Sequence, residues 1–163
     1  MDIVFICRNA EENSVLTNVA MAMDAAKEGQ STAVLFTEDA LAALAGQAFE
    51  WAPAFRERSG RAMVTRQATT MGYPLAKESD PRWTDVRRLL KAAKDGGVSL
   101  WGCSLWSQLL GLNGAGGSGG PARAARPNEV PFVVKPLPDE ITTLPSGQVL
   151  RELQSAKTVI GGF

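Results

Sequence analysis

The chain contains no histidine and only two cysteines, Cys7 and Cys103. Without imidazole there is no Ser-His-Asp triad, no Cys-His nucleophile pair and no metal site that depends on histidine. Two cysteines cannot build a disulfide framework, and two cysteines without histidine make a structural zinc site improbable. No cofactor and no bound metal are therefore expected. Charge of one sign is also lacking: Lys plus Arg number 17 and Asp plus Glu number 17. The basic surplus that neutralises phosphates is missing, so no nucleic-acid partner is expected. There is no run of about 18 apolar residues that could span a bilayer. MDIVFICRN enters strand-like sequence without a basic leader or a small-residue cleavage site, so neither a membrane partner nor a targeting segment is expected. Any cysteine chemistry must then proceed without an imidazole neighbour, in the reducing cytoplasm that is the default for free thiols.

What is present reads as one domain over 1–163, with 45% hydrophobic residues and a length sufficient for a sizeable core. DIVFI (2–6) is a short apolar, β-branched run, read as a buried parallel strand. Asn13 or Ser14 can cap the next segment, where Val15, Leu16, Val19, Met23 and Ala26 recur at helical spacing before Gly29. TAVLF (32–36) is a second strand, and Thr37 opens a short helix with Glu38 and Asp39 in its first turn. Asp80-Pro81 predicts a helix start, with Trp83, Val86, Leu89, Leu90 and Ala93 on one face and Gly96-Gly97 as the stop. VSLWGC (98–103) is the third strand, and 104–112 a helix with Leu105, Leu109 and Leu112 on one side. EITTL (140–144) predicts a short strand, Ser146 can cap a helix through Val149, Leu150 and Leu153, and TVIGGF (158–163) closes the pattern. This alternation predicts an α/β fold: three layers, α/β/α, around a mostly parallel five-stranded sheet.

Two stretches interrupt it. Residues 46–79 mix Phe49, Trp51, Phe55 and Tyr73 with Arg56, Arg58, Arg61 and Arg66. They read as a helical insertion whose aromatics pack on the domain or a second subunit, or as a lid turning arginines to an anionic ligand. GAGGSGGPARAARP (114–127) is loop by composition. It lacks the Gly-Lys-Ser/Thr ending of a phosphate loop and follows a helix rather than a strand, which also fails the dinucleotide fingerprint. The paired carboxylates Glu11-Glu12, Glu38-Asp39 and Asp139-Glu140 sit at element starts, where capping or solvation accounts for them.

Ligands in open parallel sheets bind beyond the carboxyl ends of the strands. Cys103 lies at such an end, immediately before a helix whose first-turn amides favour an anion. A thiol of ordinary pKa near 8.5 is only roughly 3% thiolate at neutral pH, and lowering that value to ~7 makes about half of it reactive. The same position also suits an inert cysteine filling core space. Cys7 follows the first strand and lies at the same sheet edge. It reads as a strand-end residue lining the cleft or packed beneath it, or as a resolving or relay partner, since the two thiols approach disulfide range if strands one and three are neighbours. With a strand between them the spacing of ~9.6 Å exceeds the roughly 7 Å limit for a disulfide. Arg8 can bias either thiol towards thiolate, and Trp101 and Trp106 flank Cys103 as core or pocket wall.

DIVFICRNAEENSVLTNVAMAMDAAKEG, TAVLFTEDAL, GVSLWGCSLWSQLLGL and ITTLPSGQVLRELQSAKTVIGGF, in this order, resemble the DsrE/DsrF/TusD-like sulfur-relay family. The most specific element is the third-strand cysteine followed by a helix ending in Leu110-Gly111-Leu112. The resemblance implies a DsrE/F-like fold and a trimer or hexamer. It also implies that Cys103 accepts sulfur as a persulfide from a donor protein or small thiol and passes it to an acceptor. Ser104 and Leu105 would offer backbone N–H groups to the anionic sulfur, and Trp101 and Trp106 would shield it. The 46–79 insertion and the Gly-rich loop depart from the family's compact members and leave open a non-catalytic binding module of the same fold, or a structural oligomer with Cys103 buried. A peroxide-reducing thiol fits less well, because DGGVSLWGC lacks the proline-and-threonine approach to the cysteine.

Overall fold

The computed structural model describes residues 1–46, 49, 51–110 and 137–161. The 114–127 loop, Leu112 and the last two residues lie outside them. The strands are β1 (Ile3–Cys7), β2 (Thr32–Phe36), β3 (Ser99–Cys103), β4 (Thr142–Leu144) and β5 (Thr158–Gly161). They form a five-stranded sheet in the order β4-β3-β2-β1-β5, and every pairing is parallel. The helices are α1 (Glu12–Lys27), α2 (Glu38–Gly46), α3 (Arg58–Thr70), α4 (Val86–Asp95), α5 (Ser104–Leu109) and α6 (Ser146–Ser155).

Strand side chains alternate between two faces with period two. Phe5, Cys7, Val34, Phe36 and Leu100 join one core cluster with α1, α2 and α4. Val4, Ala33, Leu35 and Trp101 join another with Leu144 and the α6 residue Val149. The sheet is therefore covered on both faces, thickly on one and by α6 on the other. That is why its strands read as continuous apolar runs rather than alternating ones. Gly102 faces the thick layer, where a Cβ would lie 3.3 Å from Ile141 Cγ2 and 3.3 Å from Leu41 Cδ1. Its lack of a side chain lets α2 and the segment before β4 close over β3.

Four local expectations are corrected. The helix expected from Asp80 begins at Val86, with Asp85 as its N-cap accepting from the Arg87 N–H at 3.1 Å. Asp80 instead holds a turn, accepting from the Arg82 N–H at 3.1 Å and from its guanidinium at 2.7 Å. An antiparallel bridge between Ala76 and Thr84 closes this stretch as a turn rather than a helix, and Trp83 stands 56% exposed rather than on the apolar face. Helix α1 starts one turn position early, with Glu11 as its N-cap residue and no side-chain cap. Asn13 is freed to accept from the Ala52 N–H at 3.0 Å, tying the insertion to α1. Ser146 is the first residue of α6 rather than its cap, which is Pro145. Glu12 is not a solvated carboxylate, for Oε1 accepts from the Thr84 hydroxyl at 2.8 Å.

Within 46–79, Trp51 and Tyr73 are buried in the thick core cluster, and Phe49 and Phe55 pack against it. The Tyr73 hydroxyl donates to Asp24 of α1. The segment is thus anchored by its aromatics, while Met63 and Met71 stay exposed.

Candidate functional site

The chain leaves β3 through α5, whose Trp106 packs with the thick cluster, followed by Leu110. It leaves the neighbouring strand β4 through α6, whose Val149 and Leu153 pack on the opposite face. Adjacent parallel strands whose connections depart to opposite faces open a crevice at their carboxyl ends, the usual ligand position in such sheets. Cys103 is level with Leu144 at this end of the sheet. The Ser104 and Ser146 hydroxyls, on the first residues of α5 and α6, are 3.3 Å apart. Two helix N-termini therefore meet above the ends of β3 and β4, next to the thiol.

Cys103 is partly buried and free of any disulfide. Its side chain lies against the thin-face cluster that includes Trp101, Leu144 and Val149. It occupies the N-cap position of α5 with extended backbone and takes no capping hydrogen bond. Its carbonyl is held by the Ser107 hydroxyl at 3.0 Å, which fixes the turn from strand to helix. Of the sequence-predicted residues, Trp101 and Ser104 are buried beside it, whereas Leu105 is 52% exposed and Leu109 is 65% exposed. Trp106 packs against the other cluster, so the two tryptophans flank the thiol from different faces.

Cys7 is placed differently. It is level with Phe36 of β2, and Phe36 is level with Gly102 of β3. β2 thus separates the two cysteine strands by ~9.6 Å, too far for a disulfide, and the thiols point to opposite faces. Cys7 is fully buried, 4.0 Å from the Ser14 hydroxyl. Burial pushes its thiol up to about 11, so it is protonated at neutral pH. Arg8 makes a two-point contact with the Glu38 carboxylate, at 3.0 Å for each hydrogen bond. Glu38 holds that geometry at a φ of 53°, in a region a non-glycine residue rarely adopts. Among the described residues no cluster of His, Cys, Asp and Glu could hold a metal ion, and no helix is long and apolar enough to cross a membrane.

The site residues that sequence reasoning did not assemble are Ser107 and Ser146. Ser107 carries the i to i+4 spacing from Cys103 that lets a helical hydroxyl bond a carbonyl. Ser146 becomes a neighbour of Cys103 only through the pairing of β3 with β4, which no local pattern discloses.

No protein-family model matches the chain, and no curated protein sequence does. Among solved structures it is similar to the ychN protein from E. coli, with a TM-score of 0.54 at 12% identity over 99% of each chain. At that identity the likeness shows the fold alone, an α/β architecture of the DsrE-like kind.

Proposed function

We propose that this protein is a sulfur carrier that accepts sulfur as a persulfide on Cys103 and hands it to a partner. The Cys103 thiolate attacks the outer sulfur of a donor persulfide, forming a new S–S bond. The donor's S–S bond breaks and its inner sulfur leaves as a thiolate. An acceptor thiolate then attacks the outer sulfur of the Cys103 persulfide, and Cys103 leaves as the thiolate it began as, so no net oxidant is consumed. The observation that carries this reading is the position of Cys103: partly open, at the carboxyl ends of β3 and β4, beside the first residues of two helices. The DsrE-like fold supports it.

A homo-oligomer, trimer or hexamer, belongs to the same proposal. It is supported by the exposed Leu105 and Leu109 on the helix that follows the thiol.

One observation favours the non-catalytic reading, a binding module using the same crevice. The Cys103 side chain takes no hydrogen bond from the first turn of α5, so the amide support expected for a thiolate is not engaged in this state.

Intact mass after incubation with a small-molecule persulfide donor separates the two. A carrier gains one sulfur atom in the wild type and in Cys7→Ser, and none in Cys103→Ser. No gain in the folded wild type would leave the binding module.

A further inference from the structure

We infer that the chain carries a second, unassigned binding site, for a small zwitterion with an apolar body such as an aliphatic α-amino acid. The site is a cavity of about 390 Å³ between α2, the start of α4 and Pro138, within the ~300–1,000 Å³ usual for small-molecule pockets. It is remote in lining from Cys103, which is not among its residues, and the inference does not depend on the sulfur chemistry.

Its lining carries both charges. Glu12 is one of its acids: Oε1 is held by the Thr84 hydroxyl while Oε2 is enclosed without a hydrogen bond among the described residues. Burial pushes the Glu12 carboxyl up, with Thr84, Trp51 and the charge of Arg61 opposing the shift. A cation entering the cavity offsets that desolvation through space and needs no contact with Oε2 itself. Elsewhere on the wall, the side chains of Lys77 and Arg87 have no ion pair among the described residues, and Asp85 is engaged in capping α4. Two cations with no ion pair among the described residues suit a carboxylate. Leu44 and Phe49 supply apolar wall. A ligand that satisfies all three features carries an ammonium, a carboxylate and a short hydrocarbon.

Three probes read out the recognition by calorimetry on the intact protein: leucine, 4-methylpentanoate, which lacks the ammonium, and isopentylamine, which lacks the carboxylate. Leucine is expected to bind at least about tenfold more tightly than either, in a range reachable by titration to about 10 mM. Glu12→Gln should bring leucine down to the affinity of 4-methylpentanoate, and Arg87→Ala should bring it down to that of isopentylamine. Thr84→Val serves as a second probe of the carboxylate end should Glu12→Gln lose its native near-ultraviolet circular dichroism. Absence of leucine binding to the folded wild type overturns the inference. So does equal binding of leucine and 4-methylpentanoate, or an unchanged leucine affinity in Glu12→Gln.

Discussion

Cys7 and Cys103 stand in matching places, each the last residue of a parallel strand at the same edge of one sheet. One is sealed beneath α1 with its thiol raised to about 11. The other is partly open where two helices diverge. The difference comes from the layers, not from the strands. The odd-numbered positions of β1 point into the thick layer, so Cys7 falls under Val15, Val19 and the other residues of α1. In β3 the odd positions point to the thin face, where α6 provides the helical cover among the described residues. The burial of each thiol thus follows from the face its strand register selects.

The comparison can be broken or sharpened by substitution. The largest expected effect is on sulfur loading, which Cys103→Ser should abolish and Cys7→Ser should leave intact. The next is on stability. Replacing the sealed Cys7 by serine buries a hydroxyl in an apolar layer and should cost about 2 kcal/mol in denaturant melts. Cys103→Ser, at a partly open site, should cost under ~0.5 kcal/mol. Equal losses at the two positions would contradict the layered account. Gly102→Ala comes third, at about 1 kcal/mol, because the new methyl meets Ile141 and Leu41 at 3.3 Å and the layer must yield by a few tenths of an ångström.

The last expected effect is an alkaline pH dependence to which Cys7 contributes and Cys103 does not. Its folded value, about 11, lies above its ordinary value of 9.0. Folding therefore favours the protonated thiol, and that contribution is intact below pH 9.0 and declines as pH rises towards about 11. Alkaline melts should show this extra slope in the wild type and in Cys103→Ala, and lose it in Cys7→Ala.

Much of this was legible in the sequence because parallel strands buried on both faces leave short apolar runs. Val34 and Leu35, or Leu100 and Trp101, advertise a strand without naming its neighbours. Gly29 and Gly97 marked turns because each sits at positive φ, 84° and 88°, where other residues are strained. The start of α4 was misplaced because an Asp-Pro pair suits a tight turn as well as a helix N-terminus. What decided between them was the antiparallel bridge of Ala76 with Thr84, which closes a turn around the pair. The position of Cys103 at a strand end was readable. Its partnership with Ser146, and its separation from Cys7, were not, since both depend on the strand order β4-β3-β2-β1-β5. Glu12 looked like an ordinary first-turn acid, and only the approach of Thr84 from a segment 72 positions away changes its environment.

The most direct test of the account is residue-resolved alkylation of the native protein, with Cys7 and Cys103 quantified separately by peptide mass. The account predicts that Cys103 is modified in native buffer at pH 7.5 while Cys7 is modified only once denaturant unfolds the chain. Protection of Cys103 under native conditions, or modification of both thiols at similar rates, would contradict it.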